Sequence, residues 1–359
     1  MDRVQRLREK IRELGIDGMM IIHPWNRVYM SGFTGSNGVI LITENEAKLI
    51  TDYRYIEQAQ QQATGYEIVL HSGHTGHKGR IFDEAAVQIK QMKITKLGFE
   101  QEHLSYGMFV KNKSSFSAEL VPTSGIIEDL RMIKSKDEIE KLRVAAEVTD
   151  SAFLHILNFV RSGISELDVA RELESFIREH GCTNTGFSPT VVSGYRGSMP
   201  HGRASEKLIE DGDMITIDFG ANYQGYWADI SRTIAVGNPS PELLTIHDVV
   251  LTSFKNCVAN LKPGLTDQEV DALMKENIIM HGYNDRSGTG TGHGIGLEVH
   301  ELPLFSVLKE KTLTENMVIT VEPGIYLPNM GGARVEDVIL ITENGREVLT
   351  PSTKELVIL

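Results

Sequence analysis

Two histidines, His293 and His300, stand seven residues apart in TGHGIGLEVHE (residues 291–301), a run whose first six residues include three glycines. In a helix they would share a face, but each glycine would cost roughly 1 kcal/mol against alanine. In a regular strand the odd separation sends the rings to opposite faces. The run is therefore either a turn with two surface histidines or an irregular backbone that brings both rings to one site. Acidic residues offer that site its chemistry. MITIDFGANYQGYWADISRTIAV reads as a β-hairpin, and a four-residue turn at 222–225 places Asp218 directly opposite Asp229. Like charges facing each other across a strand pair destabilise it unless something neutralises them. MVITVEPGIYLPNMGGARVEDVILIT reads as two further strands around a Gly/Pro loop and carries Glu322 and Glu336. Taken singly, each stretch also fits a solvated hairpin with surface acids. Together, four carboxylates and one imidazole form an oxygen-rich set suited to two divalent first-row ions, with Mn²⁺ favoured over thiolate-preferring metals. Two such ions can share a water, lower its pKa and polarise a carbonyl.

The elements that must position these residues are duplicated. FLHILNFVRSGISELDVARELESFIREHG (153–181) aligns without gaps to FKNCVANLKPGLTDQEVDALMKENIIMHG (254–282), at a constant offset of 101. Phe153 matches Phe254, Gly163 matches Gly264, Val169 matches Val270, and His180-Gly181 matches His281-Gly282. Each copy predicts a helix, a Gly turn, a capping box (Ser165 to Asp168, Thr266 to Glu269), a second helix and a terminal Gly. Strand-rich sequence follows each copy. Two αβ halves related by a pseudo-twofold, with a cleft between them, are expected. Upstream, Ser135 and Glu138 mark the start of a long amphipathic helix running to about Phe159. Residues 1–127 alternate helical patterns with apolar runs such as GMMII and GVILIT, an α/β pattern, so a domain boundary is expected near Glu128.

With 359 residues, 41% hydrophobic and 24% charged, the chain has the composition of a globular protein with room for two domains. A net charge of −13 argues against a nucleic-acid partner, and no apolar run is long enough to span a bilayer. MDRVQRLREKIREL reads as a first structural helix rather than a leader. Two cysteines, Cys182 and Cys257, are too few for a disulfide framework and point to buried thiols and a reducing cytoplasm.

The acid and histidine motifs resemble a known constellation. DFG and DISRT around Asp218 and Asp229, TGHGIGLEVHE with His293, VEPGIY with Glu322 and RVED with Glu336 are similar to the five-ligand dinuclear site of the pita-bread metallopeptidases. PHGRAS with His201, and NRVYMSGFTGSNG at 26–38, resemble the aminopeptidase P and prolidase branch rather than methionine aminopeptidase. The resemblance covers the whole chain: a creatinase-like α/β domain at 1–127, then a pseudo-twofold α+β pita-bread catalytic domain at 128–359. It implies hydrolysis of the bond before proline in proline-containing peptides. Asp218 and Asp229 would chelate one ion, His293 would complete the second, and Glu322 and Glu336 would touch or bridge both. The ions would be Mn²⁺ first, with Co²⁺ or Zn²⁺ as alternatives. A shared hydroxide would attack the scissile carbonyl, with Glu322 shuttling the proton. His201 and His300 would bind substrate and the developing oxyanion, and Arg334, two residues before Glu336, would orient the carboxylates or else form a surface salt bridge. A homodimer is the state the family favours.

Two residues depart from the family pattern. Thr289 stands where the family commonly has a second histidine, four residues before the metal histidine. Prolidases often follow the HE motif with Pro-Arg, the Arg holding a dipeptide carboxylate, whereas here Pro303 precedes Leu304. The expected activity is therefore that of an Xaa-Pro aminopeptidase, with Xaa-Pro dipeptidase as the alternative. A catalytically silent binding module and a metal-free amidine hydrolase of the creatinase kind fit the intact acid set less well.

Overall fold

The charged and apolar alternation near the N-terminus folds as helix α1 (Arg3–Leu14), with Leu7 and Ile11 on its buried side. Asp2 caps its first turn by accepting from the Val4 amide, and Gly15 closes it in the left-handed conformation, φ 62°. The computed structural model describes residues 2–71, 78–183, 187–288, 290–305 and 311–359. Two units emerge from its contacts, Met1–Arg131 and Met132–Leu359.

The first unit alternates strand and helix after α1: β1 (Gly18–Ile21), α2 (Pro24–Ser31), β2 (Val39–Thr43), β3 (Ala47–Thr51), α3 (Ile56–Gln62), β4 (Glu67–Leu70), α4 (Lys78–Gln91), β5 (Lys96–Glu100), α5 (Tyr106–Asn112) and β6 (Glu119–Thr123). The six strands form one mixed sheet in the order β4-β3-β2-β1-β5-β6. Strand β1 runs antiparallel to β2 and parallel to β5. Met20, Leu41, Ile50 and Leu97 from the strands meet Phe82 and Ile89 from α4 in its core. A short helix, α6 (Ile126–Met132), follows.

The second unit begins with α7 (Lys136–Ile156), whose capping box joins Ser135 and Glu138 as the sequence predicts. The duplicated helices α8 (Glu166–Glu179) and α10 (Asp267–Met280) keep the offset of 101 at both ends, and both carry complete capping boxes. The glycines of the two turns share one left-handed conformation, φ 89° at Gly163 and 93° at Gly264, which explains why glycine stands at both. The first half continues through β7 (Thr190–Ser193), β8 (Met214–Phe219), β9 (Asn222–Tyr223), β10 (Tyr226–Trp227) and β11 (Ile230–Ala235) to α9 (Pro241–Asn260), which precedes α10. The second half holds β12 (His293–Gly294), β13 (Glu301–Leu304), β14 (Val318–Val321), β15 (Gly324–Leu327), β16 (Gly331–Arg334), β17 (Asp337–Thr342), β18 (Gly345–Val348) and β19 (Val357–Ile358). The larger sheets of the unit run β19-β11-β8-β7 and β13-β12-β14-β17-β18. Each half has its own apolar core: Phe153, Leu173 and Ile217 lie in one, Phe254, Met274 and Ile339 in the other.

The first hairpin departs from the expected register. Gln224 and Gly225 both have positive φ, 50° and 90°, the signature of a two-residue type I′ turn rather than a four-residue one. Tyr223 therefore pairs with Tyr226, and Asp218 lies opposite Ser231, not Asp229. The slip is two residues, so Asp229 keeps its face and sits diagonal to Asp218. Both expected hairpins are also broken into four strands. The ladder of β8 and β11 ends before Gly220, where a Cβ would lie 1.7 Å from the Ala228 carbonyl oxygen, and β9 and β10 pair separately. Strands β14 and β17 form one pair and β15 and β16 another, with Glu322 and Glu336 at the breaks. Cys182 and Cys257 are free and buried. Among the described residues no helix is long and apolar enough to cross a membrane.

Candidate metal centre

The strand breaks and the glycine-rich run bring all five expected ligand residues together. One oxygen of Asp229, one of Glu336 and a ring nitrogen of His293 lie within 4.8 Å of one another, all three residues buried. His293 Nε2 stands 3.4 Å from Glu322 Oε1 and 3.9 Å from Asp229 Oδ2. Its Nδ1 faces the Gly294 carbonyl at 3.0 Å. A carbonyl only accepts, so the ring proton belongs on Nδ1, and the Nε2 lone pair is turned toward carboxylates. Burial and the neighbouring His300 lower the His293 pKa to about 4, which keeps the ring neutral. A lone pair aimed at anions needs a cation between them.

The carboxylates make the same demand. Asp218 Oδ1, Asp229 Oδ1 and Glu336 Oε1 are buried with no hydrogen-bond partner, a costly state for ionised groups. Burial first, then Glu336, Asp218 and Glu322, push the Asp229 pKa well above the usual carboxyl range. Glu336 is driven the same way by burial and by Glu322 and Asp218. Burial raises Glu322 to about 7, with Arg334 opposing and Asp218 assisting. Orphaned oxygens, a neutral imidazole and mutually repelling acids fit bound divalent cations.

Arg334, at the end of β16, orders this cluster rather than forming a surface pair. Its Nη2 donates to Asp218 Oδ2, and its Nε donates to Ser231 Oγ at 2.7 Å. Ser231 in turn donates to Glu336 Oε2 at 2.8 Å. The remaining nitrogen, Nη1, reaches Tyr326 Oη at 2.7 Å and the Pro200 carbonyl at 3.0 Å. Behind Glu336, the buried Arg232 donates to its carbonyl and, at 2.7 Å, to Asp337 Oδ1. Ser231, Tyr326 and Arg232 lie inside the quoted motifs, yet sequence reasoning gave them no role. The contacts of Ser231 and Arg232 with Arg334 and Glu336 cross about a hundred residues, and that of Tyr326 with Arg334 spans eight across a strand pair, so no sequence motif signals them.

His300 reaches the same place by a bulge. The register between β12 and β13 shifts at His293/Gly294, so the rings of His293 and His300 approach to 4.3 Å between centroids. The glycines allow this close backbone approach, since a Cβ on Gly294 would lie 2.2 Å from the Leu302 carbonyl oxygen. Glu301, next in sequence, is anchored by a buried ion pair with Lys134 at 2.8 Å. A cleft of about 730 Å³ opens over the site, lined among others by Met199, His201, His300, Leu304, Phe305, Glu322, Tyr326 and Arg334. A smaller pocket beside it includes Asp218, Asp229, Glu336 and Arg203. Thr289 lies outside the described residues.

A repeated αβ scaffold holding a buried carboxylate and imidazole cluster below a peptide-sized cleft is the architecture of a metal-dependent hydrolase. The chain matches metallopeptidase family M24 over residues 140–343 and the Creatinase/Prolidase N-terminal domain over residues 3–133. The solved Xaa-Pro dipeptidase from Bacillus anthracis is 49% identical, with TM-score 0.95 over 100% of this chain and 99% of that one. The X-Pro aminopeptidase of Thermotoga maritima MSB8 is 37% identical, with TM-score 0.89 and 100% of each chain covered. The Xaa-Pro dipeptidase of Pyrococcus furiosus is 38% identical over 358 residues, 99% of both chains. The chain belongs to metallopeptidase family M24, a family that works with divalent metal ions, and joins a creatinase-type N-terminal domain to a pita-bread catalytic domain.

Proposed function

We propose that the protein is an Xaa-Pro aminopeptidase, releasing the residue that precedes proline at the N-terminus of a peptide, and that it works as a homodimer. The observation that carries the hydrolytic reading is the set of three orphaned buried carboxylate oxygens on residues that share one pocket with His293 and its unprotonated nitrogen. Asp218, Asp229, His293, Glu322 and Glu336 would hold two divalent ions, with Mn²⁺ suited to so oxygen-rich a set. Bound there, the ions supply Lewis acidity toward the scissile carbonyl and lower the pKa of water. Glu322 is the acid of the four that lines the large cleft, which supports it as the group that would take a proton from the attacking water and deliver it to the departing proline nitrogen. His201 and His300 line that cleft too and serve as donors to the carbonyl oxygen as charge develops on it. Arg334 keeps Asp218 and, through Ser231, Glu336 in fixed orientations.

The length preference rests on Leu304. It lines the cleft, 46% exposed, and offers no charge to a dipeptide carboxylate, which must be desolvated beyond the scissile bond. Arg203 favours the second reading, an Xaa-Pro dipeptidase, because it lines the adjoining pocket. Kinetics with Ala-Pro and with a longer Ala-Pro peptide, with and without Mn²⁺, decide between them. A higher kcat/KM on the longer peptide is expected, with Leu304→Arg narrowing the gap by about 10-fold through a better dipeptide. Equal or better cleavage of Ala-Pro by the unchanged protein returns the assignment to dipeptidase.

A further inference from the structure

His201 sits on an exposed loop, SGYRGSMPHGRAS, in which Tyr195 and Met199 are 54% and 44% exposed. Met199 and His201 stand exposed at its crest, yet a group that donates to a developing oxyanion must be held to a fraction of an ångström. The fixing element is a carboxylate on the opposite side of the loop's base. Glu166, at the start of α8, is fully buried and gathers donors from both ends of the loop. Ser193 donates through its amide at 2.8 Å and its hydroxyl at 3.0 Å to Oε1. Ser205 donates through its amide at 3.0 Å and its hydroxyl at 2.7 Å to Oε2. Arg196 donates from Nε to both oxygens, at 3.2 and 3.0 Å, while its Nη2 reaches the Arg203 carbonyl at 2.6 Å.

We infer that Glu166 is a positioning residue for His201, a reading that rests on the proposed peptidase function. Its two oxygens tie residues 193 and 205 to one point, so the intervening segment is a closed ring whose ends cannot part. Arg196 staples the ring across its middle. The far side rests on β16: Pro200, the residue before His201, accepts from Arg334, and Gly197 packs where a Cβ would lie 2.9 Å from the Gly332 amide. With the ends fixed by Glu166 and the crest fixed by Arg334, His201 is held over the cleft. Charge-assisted bonds from five donors need both carboxylate oxygens as acceptors. An amide there turns one of them into a donor facing donors.

Glu166→Gln tests this with two independent readouts in the full-length, metal-loaded protein. Amide hydrogen exchange over residues 194–204 is expected to accelerate about 10-fold or more while the sheets keep their protection. In steady-state assays on a longer Ala-Pro peptide, kcat is expected to fall about 10- to 100-fold with metal content unchanged. In a His201→Ala background the same substitution is expected to cost less than about 2-fold, because the group it positions is gone. Ser205→Ala, which removes one donor and leaves the charge buried in place, gives a smaller change of the same kind and serves if Glu166→Gln does not fold. Unchanged exchange of the loop overturns the clamp. An equal loss of kcat with and without His201 overturns its action through that residue. If the unchanged protein does not cleave Xaa-Pro bonds, or His201→Ala costs nothing, the functional reading fails, and loop exchange still decides the clamp by itself.

Discussion

At the scale of single residues, the two histidines that share one glycine-rich run separate cleanly in what they can do. His293 presents an unprotonated nitrogen to the carboxylates of Asp229 and Glu322, whereas His300 lies at the cleft beside it. Replacing Asp229 by Ala is therefore expected to abolish tightly held metal and activity together, because a lost carboxylate oxygen has no substitute in the cluster. Elemental analysis after gel filtration reads the loss, and a fully active metal-free Asp229→Ala protein would sink the dinuclear mechanism. His300→Ala is expected to keep its metal and lose about 10²- to 10³-fold in kcat, the usual effect of removing one oxyanion donor. Loss of metal from that variant would show that the two rings had been given each other's roles.

At the scale of elements, the glycines of TGHGIGLEVHE are a packing requirement. A Cβ on Gly294 meets the Leu302 carbonyl oxygen at 2.2 Å, and one on Gly292 meets the Thr320 carbonyl oxygen at 2.3 Å. Gly294→Ala should destabilise the protein by about 1–3 kcal/mol in urea titrations and weaken metal binding by moving His293. Wild-type stability with wild-type metal affinity would show that the bulge relaxes without cost. Elements governed by near neighbours were the ones legible in the sequence. The capping boxes at Ser135, Ser165 and Thr266 and the turn glycines Gly163 and Gly264 stand where spacing predicted them. The convergence of Asp218, Asp229, Glu322 and Glu336 was legible because strand-rich sequence carrying a pair of acids follows each copy of the repeat, and that of His293 only through the family motif around it. The hairpin register was not, because Gln224 occupies a left-handed position that turn statistics assign to Asn, Asp or Gly. Nor were the strand breaks, Ser231 or Glu166, whose effects depend on contacts far along the chain.

At the scale of the whole catalytic unit, the cluster makes stability depend on pH and on metal in linked ways. Without metal, Asp229 and Glu336 hold protons well above the ordinary carboxyl range, and Glu322 does so up to about 7. The folded state then binds protons more tightly than the unfolded one, so this stability is fully present at low pH and drains away as pH rises through the raised values. The depressed histidines act in the opposite sense, but only below their ordinary value of 6.5. Between about pH 6.5 and pH 8 the Tm of chelator-treated protein should therefore fall, and Mn²⁺ should flatten the decline by replacing the protons. A Tm of the metal-free protein that is level or rising over that interval would contradict the cluster's proposed charge state.

The matched halves are also what a duplication would leave. Helices α8 and α10 begin and end at equivalent positions, and each half brings one pair of acids to the shared seam. Fusion of two identical chains that once met face to face about a twofold axis would leave such a pattern, since an isologous contact places every group opposite its own copy. In that ancestor the acids would have come as symmetric partners, with neither side distinguishable from the other. Whatever now breaks the equivalence, the His293 imidazole and the Arg334 fork on one side and the His201 loop on the other, would then have given a symmetric cluster of acids a direction.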